Sequence, residues 1–357
     1  MFGIKKKKKK IASYDKLLRY AEMLQFGDIH IEIDHETGLI AIVAIHDTLR
    51  GPALGGCRFL PYKSFEDAFT DVLRLAQMMS YKAAVCGLPF GGGKSVIIEP
   101  EGGVKNREAL FEKFGSFVNK LGGRYITAVD SGTENRDMDI IATQTPYVTS
   151  TTQLYGDPSV YTALGVRRGI EAAVKFKLGK DNLKDVHVAI QGAGHVGYFL
   201  TKELVQLGAK VTIADINTKA VKHCVDEFNV STVDFHDIYD IPCDVFAPCA
   251  LGATINADTI KRLKTKIIAG SANNQLAHNQ SGQALHDRGI LYVPDFVINS
   301  GGLIHVAVIY AHGDEEKAHQ QIYDLYNTLM AIFERSKQEN KPPNEIAETI
   351  ALENLKA

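Results

Sequence analysis

Residues 191–197 read Gln-Gly-Ala-Gly-His-Val-Gly, a GxGxxG turn set directly after the apolar run Val186–Ile190 and directly before a helix-like stretch. In a strand–turn–helix unit each glycine has its own reason. Gly192 permits the tight turn, Gly194 lets the backbone approach a pyrophosphate, and Gly197 lets helix and strand pack closely, with the helix N-terminus facing the anion. His195 and Val196 belong to the same turn. The following strand, AKVTIAD, ends at Asp215. A carboxylate there hydrogen-bonds a ribose 2′-hydroxyl and repels a 2′-phosphate, so the expected cofactor is NAD rather than NADP.

The pattern around this turn supports the same fold. Strands are expected at 185–190, 210–214, 244–247, 266–269 and 290–293, alternating with helices at 159–177, 196–207, 218–228, 257–263 and 281–288. Such alternation implies a mostly parallel, doubly wound α/β sheet. The earlier part has a different rhythm. Helices are expected at 13–25 and 106–121, strands at 29–34, 39–45, 95–98 and 125–129, and Ser64 with Asp67 opens a further helix as a capping box. Residues 50–58 (RGPALGGCR) and 87–94 (GLPFGGGK) are glycine-rich, 132–158 is polar without sustained periodicity, and 302–337 is one long amphipathic pattern. A chain of 357 residues has room for two domains. The division expected is 1–150 and 151–329.

Lys plus Arg number 40 and Asp plus Glu 42, so the formal charge of -2 excludes a generally basic nucleic-acid binder. No apolar run approaches the roughly 20 residues that span a bilayer, so no membrane helix is expected. Five cysteines without a CxxC point to reduced thiols and a cytoplasmic setting. The histidines are scattered and no metal constellation is expected. Lys5–Lys10, six like charges that repel one another, reads as a solvated, mobile tail.

Gly91-Gly92-Gly93-Lys94-Ser95 is not a P-loop: Gly87 lies one residue too far upstream, and Ser95–Ile98 is strand-like where a P-loop opens a helix. Three glycines beside a lysine remove bulk, so that a substrate can lie against backbone and the lysine can be desolvated. Burial disfavours the ammonium and brings a lysine toward the range of a general base. Lys82, near the end of a helix, can offer a fixed positive charge to a carboxylate. Asp130, closing a strand before Ser131-Gly132-Thr133, can relay protons. Taken singly, each is more simply a surface lysine or a turn aspartate.

Together, RGPALGGCR (50–58), Tyr81-Lys82-Ala83, GGGK (91–94), TAVDSGT (127–133), CDVFAPCALGA (243–253), AGSANNQL (269–276) and DFVINSGG (295–302) resemble the amino-acid dehydrogenases of the glutamate/leucine/phenylalanine/valine superfamily, nearest to its leucine dehydrogenase branch. The likeness runs in order over about residues 12–350. It implies an N-terminal α/β substrate and oligomerisation domain, a Rossmann-like NAD-binding domain, a cleft between them, and C-terminal helices (about 330–357) returning to the first. It also implies a homo-oligomer, a dimer or larger; the end at Ala357, short of the tail of octameric relatives, argues against an octamer.

By motif, the resemblance makes Lys94 the lysine that activates water and Asp130 the proton-transferring aspartate. Lys82 becomes the substrate-carboxylate lysine, Gly55 a residue lining the substrate, and Asn274 and Asn299 asparagines near substrate and nicotinamide. Thr162, Cys249, Ala250 and Asn273 fall near the cofactor. Leu54 stands in the segment where glutamate dehydrogenases carry a lysine for the distal carboxylate. With Leu303 and Val306 it implies an apolar amino acid, because a charged side chain would be desolvated without a partner. The implied reaction is reversible oxidative deamination of such an L-amino acid, leucine foremost, to the 2-oxo acid and ammonia. Phenylalanine, valine or tryptophan is the alternative substrate, since a methylene or two is worth only about 1–3 kcal/mol; a non-catalytic dinucleotide sensor is the alternative of another class. Two departures from the pattern stand out: His305, where asparagine is usual, is either part of the pocket floor or structural, and Cys57, where threonine is commoner, is expected to pack.

Overall fold

The computed structural model describes residues 13–24, 26, 28–153 and 157–356, and Lys5–Lys10 lies outside them. The chain divides into two compact units. One comprises the residues up to Ser80 together with Phe90–Leu154, the other Tyr81–Pro89 together with Tyr155–Ala357.

The first unit holds α1 (Ser13–Met23), β1 (Asp28–Asp34), β2 (Leu39–Asp47), β3 (Ala53–Leu60), the start of α2 (Phe65–Val85), β4 (Gly91–Ile98), α3 (Arg107–Lys120), β5 (Tyr125–Val129) and α4 (Asn135–Ala142). Its sheet runs in the order β1-β2-β4-β3-β5. β1, β2 and β4 are antiparallel, whereas β3 lies parallel to both β4 and β5. Both faces are covered, and period-two alternation sorts β2 between them. Ala41, Val43 and Ile45 pack with Phe111, Phe114 and Val118 of α3, while Ile42 and Ala44 pack with Phe69, Val72 and Leu73 of α2. The α2 start is capped as expected, the Ser64 hydroxyl accepting from the Asp67 amide at 3.1 Å.

The second unit begins with α5 (Pro158–Leu178), β6 (His187–Gln191), α6 (His195–Gln206), β7 (Lys210–Ala214), α7 (Thr218–Phe228), β8 (Ser231–Thr232) and β9 (Val245–Pro248). It continues through α8 (Ala257–Arg262), β10 (Ile267–Ile268), α9 (Asn279–Asp287), β11 (Leu291–Tyr292) and α10 (Asp295–Ile298). Four helices close the chain: α11 (Gly301–His312), α12 (Glu315–Tyr323), α13 (Leu325–Glu339) and α14 (Pro343–Lys356). The sheet order β11-β10-β9-β6-β7-β8 is parallel throughout and reverses direction on either side of β6, the doubly wound topology. α13 packs on α5, and α14 on α13 and β11; the Asn354 side chain of α14 donates to the Ala84 carbonyl at 3.0 Å. The C-terminal helices thus group with the second unit, as does the last turn of α2.

Three stretches differ from their sequence reading. Glycine-rich 50–58 contains most of β3, a central strand whose apolar signal is broken by Gly55 and Gly56. The polar stretch after Gly132 contains α4, opened by a capping box between Glu134 and Asp137. The single pattern at 302–337 is three helices, α11 ending at Gly313 in the left-handed conformation (φ 63°) and α12 passing into α13 at Asp324. No helix among the described residues is long and apolar enough to cross a membrane.

The glycines of β4 serve the protein's own packing. A Cβ on Gly92 would lie 2.0 Å from the Ser80 amide nitrogen of α2, and one on Gly91 1.8 Å from the Asp47 carbonyl oxygen. The expectation that they make room for substrate is corrected accordingly: strand and helix backbones already fill that room. Gly92→Ala is expected to lower stability by at least the roughly 1–3 kcal/mol of an overpacked core, read as a reduced midpoint in thermal denaturation.

Candidate active site

Lys94 extends from the middle of β4, which the apolar neighbours Val96 and Ile97 hold in a fully buried strand. Asp130 follows the last residue of β5. These strands are not neighbours, since β3 runs between them, yet Lys94 Nζ stands 2.6 Å from Asp130 Oδ2. Both side chains are largely shielded, Lys94 being only 6% exposed. Between them β3 presents Gly55 and Gly56, without side chains. A Cβ on Gly56 would meet Asp130 Cβ at 2.7 Å, and one on Gly55 would lie 1.8 Å from the Gly93 carbonyl oxygen. Gly55, expected to line the substrate, also accepts a hydrogen bond from buried Tyr125 through its carbonyl, at 2.7 Å. Its neighbour Leu54 is fully buried.

Asp130 is held from several sides. Its amide donates to the Thr133 hydroxyl at 2.9 Å, and Arg58 Nε lies 3.4 Å from the same Oδ2. Burial alone would raise its pKa, but the charges of Lys94 and Arg58 overcome that and hold it at about 2. Lys94 Nζ and Arg58 Nε are thus both charge partners of Oδ2, with Lys94 the nearer of the two. Arg58 belongs to the quoted RGPALGGCR segment, but sequence reasoning assigned it no role. The only available signal was its place two residues beyond Gly56.

A second group of expected residues meets in the second unit. Lys82 Nζ donates to Asn299 Oδ1 at 2.7 Å; Asn299 Nδ2 donates to Asn273 Oδ1 at 2.7 Å and to the Ser271 carbonyl at 3.1 Å. Asn299 ends α10 and is buried. Close by, Asp295 accepts from the Gln275 and Phe296 amides at 2.9 and 2.7 Å. Burial raises its pKa, opposed by those amides and by the Lys82 charge. Sequence reasoning overlooked Asp295, although it opens the DFVINSGG motif. Asn274 is left-handed (φ 51°), and its carbonyl accepts from the Ala253 amide at 2.7 Å. Leu303 is half-buried and Val306 buried on α11. His305 between them is buried and stacked on Tyr161, ring centroids 3.5 Å apart, with Nε2 3.0 Å from Glu315 Oε2. It is a partnered structural histidine.

The glycine turn shows three separate duties. Gly192 has φ 113°, and a Cβ there would lie 2.8 Å from the Ala250 amide nitrogen and from the Cys249 carbonyl carbon. One on Gly197 would lie 2.0 Å from the Gly192 carbonyl oxygen. At Gly194, the N-cap of α6, a Cβ would meet nothing within 4 Å. Asp215 Oδ2 accepts from the Ala193 amide at 2.7 Å and Oδ1 from the Asn217 amide at 2.7 Å, which fixes the carboxylate beside the turn. The Cys249 amide donates to the Gln191 carbonyl at 2.7 Å, and Ala250 is exposed next to it. His195 is exposed, 3.3 Å from Asp157, and Val196 is half-buried. Thr162 donates to the Pro158 carbonyl and abuts Gly302. Open backbone at a helix N-terminus with a carboxylate at the next strand end is the donor and acceptor set that NAD requires; the residues fit the cofactor.

Comparison with known proteins gives the family. The family profile described as Glu/Leu/Phe/Val dehydrogenase, dimerisation domain, matches residues 25–147, and that described as Glutamate/Leucine/Phenylalanine/Valine dehydrogenase matches 213–356. The leucine dehydrogenase of Geobacillus stearothermophilus is 46% identical over 342 residues, 95% of this chain and 93% of that protein. The valine dehydrogenase of Streptomyces coelicolor is 42% identical over 324 residues, 89% of each. The crystal structure of L-tryptophan dehydrogenase from Nostoc punctiforme superposes with a TM-score of 0.84 at 38% identity, covering 95% of this chain and 98% of that one.

Because the folded pKa of Asp130 lies below its ordinary 3.8, the carboxylate stabilises the protein fully above about pH 4, and that contribution disappears as pH falls through about 2. The difference is worth about 2 kcal/mol. Denaturant unfolding at pH 5 and at pH 2.5 is expected to show a smaller acid loss in Asp130→Asn than in the unmodified chain; equal losses would count against the pairing.

Proposed function

Since the chain belongs to the Glu/Leu/Phe/Val dehydrogenase family, we propose that it catalyses reversible NAD-dependent oxidative deamination of an apolar L-amino acid, leucine foremost. The amino acid, water and oxidised cofactor give the 2-oxo acid, ammonia, reduced cofactor and a proton. The observation that carries the proposal is the shielded contact of Lys94 with Asp130 at 2.6 Å. A binding protein that only sensed a dinucleotide would have no use for it.

Gly192, Gly194 and Gly197 with the first turn of α6 would hold the pyrophosphate of NAD, and Asp215 its ribose; when bound, NAD supplies the hydride acceptor. Thr162, Cys249, Ala250 and Asn273 complete that surface in this reading, with Asn274 and Asn299 toward the nicotinamide and substrate. Lys82, steadied by Asn299, pairs with the substrate carboxylate. Nζ of Lys94 takes a proton from the water that adds at the oxidised α-carbon. Asp130 Oδ2, beside Nζ, takes a proton from the substrate ammonium at the outset and returns it to the same nitrogen when that leaves as ammonia. Leu54, fully buried, supports an apolar substrate together with Leu303 and Val306. The valine and tryptophan dehydrogenases among its relatives make those amino acids the alternative substrates.

A homo-oligomer, a dimer or larger, fits the edge position of β1, where Ile31 and Ile33 are exposed. Five free thiols suit a reducing cytoplasm.

Purified protein given NAD and each L-amino acid separately is expected to form NADH fastest with leucine; best turnover of an aromatic one would move the specificity, and no turnover of any would defeat the proposal. Lys94→Ala is expected to lower kcat about 100- to 10,000-fold while leaving NADH affinity within roughly twofold. Asp215→Ser is expected to reduce the preference for NAD over NADP on the order of tenfold, about 1.4 kcal/mol, measured as the ratio of kcat/KM values.

A further inference from the structure

Arg58 has no part in the reaction as set out above, yet its guanidinium lies between two carboxylates. Nη1 donates to Asp71 Oδ2 at 2.8 Å, and Nε stands 3.4 Å from Asp130 Oδ2, the oxygen that Lys94 Nζ approaches at 2.6 Å. Asp71 also accepts from the Tyr62 hydroxyl at 2.8 Å and from Arg74 Nη2 at 3.0 Å, so α2 braces the far side of the guanidinium. An arginine that only tied β3 to α2 would need no more than Asp71. Its buried Nε, turned to Asp130 without an aligned acceptor, is left over by that explanation.

We propose that Arg58 is a positioning residue for the Lys94–Asp130 pair, a permanent cation that keeps Asp130 as the carboxylate and turns Oδ2 toward Lys94. The inference rests on the reading of that pair as the proton-handling groups. A lysine that acts as a base must spend part of each cycle as the neutral amine. During that interval Asp130 would be a shielded anion without a counter-ion, a costly state that capture of the next proton would relieve. A guanidinium does not deprotonate in proteins. Of the two cations at Oδ2, one can therefore give up its proton while the other holds the charge in place.

The test reads Asp130 directly, by isotope-edited infrared spectroscopy of its carboxyl band in the full-length protein, identified by the band lost in Asp130→Asn. In Arg58→Gln the protonation midpoint is expected to rise by about one to three pH units, and the acid limb of kcat/KM to move upward with it. Arg58→Lys is expected to restore most of the original midpoint. Asp71→Asn removes the brace but neither cation, so it should lower kcat without raising the midpoint. An unmoved midpoint in Arg58→Gln overturns the proposal; so does an equal rise in Asp71→Asn, which would signify loosening rather than charge. If Arg58→Gln fails to fold by circular dichroism, Arg58→Met is read in the same way. Absence of amino-acid turnover in the unmodified protein would defeat the proposed function alone, because the infrared titration decides Arg58 without catalysis.

Discussion

The contact of Lys94 with Asp130 is the constraint around which the first unit is built. Neighbouring strands lie about 4.8 Å apart, so groups on β4 and β5 start roughly twice that distance from each other with β3 in between. The lysine reaches across only because β3 is bare at Gly55 and Gly56, and a methyl group at Gly56 would collide with the aspartate itself. β3 runs parallel to both neighbours, with Leu54 opposite Gly92 and Cys57 opposite Ser95 of β4, and with Gly56 opposite Ala128 and Cys57 opposite Val129 of β5. Sheet order, strand direction and two glycines thus serve one ion pair.

Charge in that pair is arranged asymmetrically. Asp130 faces two cations, so its carboxylate survives in surroundings that would otherwise protonate it. Lys82 is held differently, by the neutral amide oxygen of Asn299 with the Asp295 carboxylate within electrostatic reach. The two lysines, indistinguishable in composition, therefore differ in what each partner can do. A carboxylate can exchange a proton with its lysine, whereas an amide oxygen can only orient the ammonium. That difference matches the division of labour proposed for them, a base and a fixed cation.

The alternating half of the chain was legible because its signals are local. Apolar strands, amphipathic helices and the GxGxxG turn each declare themselves within a dozen residues, and β7, α7 and the turn at Gly192–Gly197 lie where the pattern places them. β3 and α4 were not legible for the opposite reason. β3 is a strand by virtue of being sandwiched between β4 and β5, and its two glycines carry no strand preference at all. At the candidate site the motif residues Lys94, Asp130, Lys82 and Asn299 could be named from sequence. Their pairing could not, and neither could the part of Arg58 or Asp295, because each depends on strands or loops distant in sequence. Glycine itself was the most ambiguous letter: at Gly92 it yields to a helix backbone, at Gly56 to the Asp130 side chain, and at Gly194 to nothing in the protein.

His305 shows how a departure from a family pattern can act at one remove. Its ring lies flat on Tyr161 of α5 and bonds Glu315 of α12, and the Tyr161 hydroxyl donates to the same carboxylate at 2.7 Å. Burial lowers its pKa and outweighs the opposing pull of the Glu315 carboxylate, so the neutral imidazole is favoured at neutral pH. The cluster ties three helices together, and two of them carry expected ligand residues: Thr162 directly follows Tyr161, while Leu303 and Val306 flank His305 on α11. A histidine placed this way need not touch substrate to matter. It fixes α11, the helix that carries Leu303 and Val306, and where those two side chains lie follows from where that helix is held.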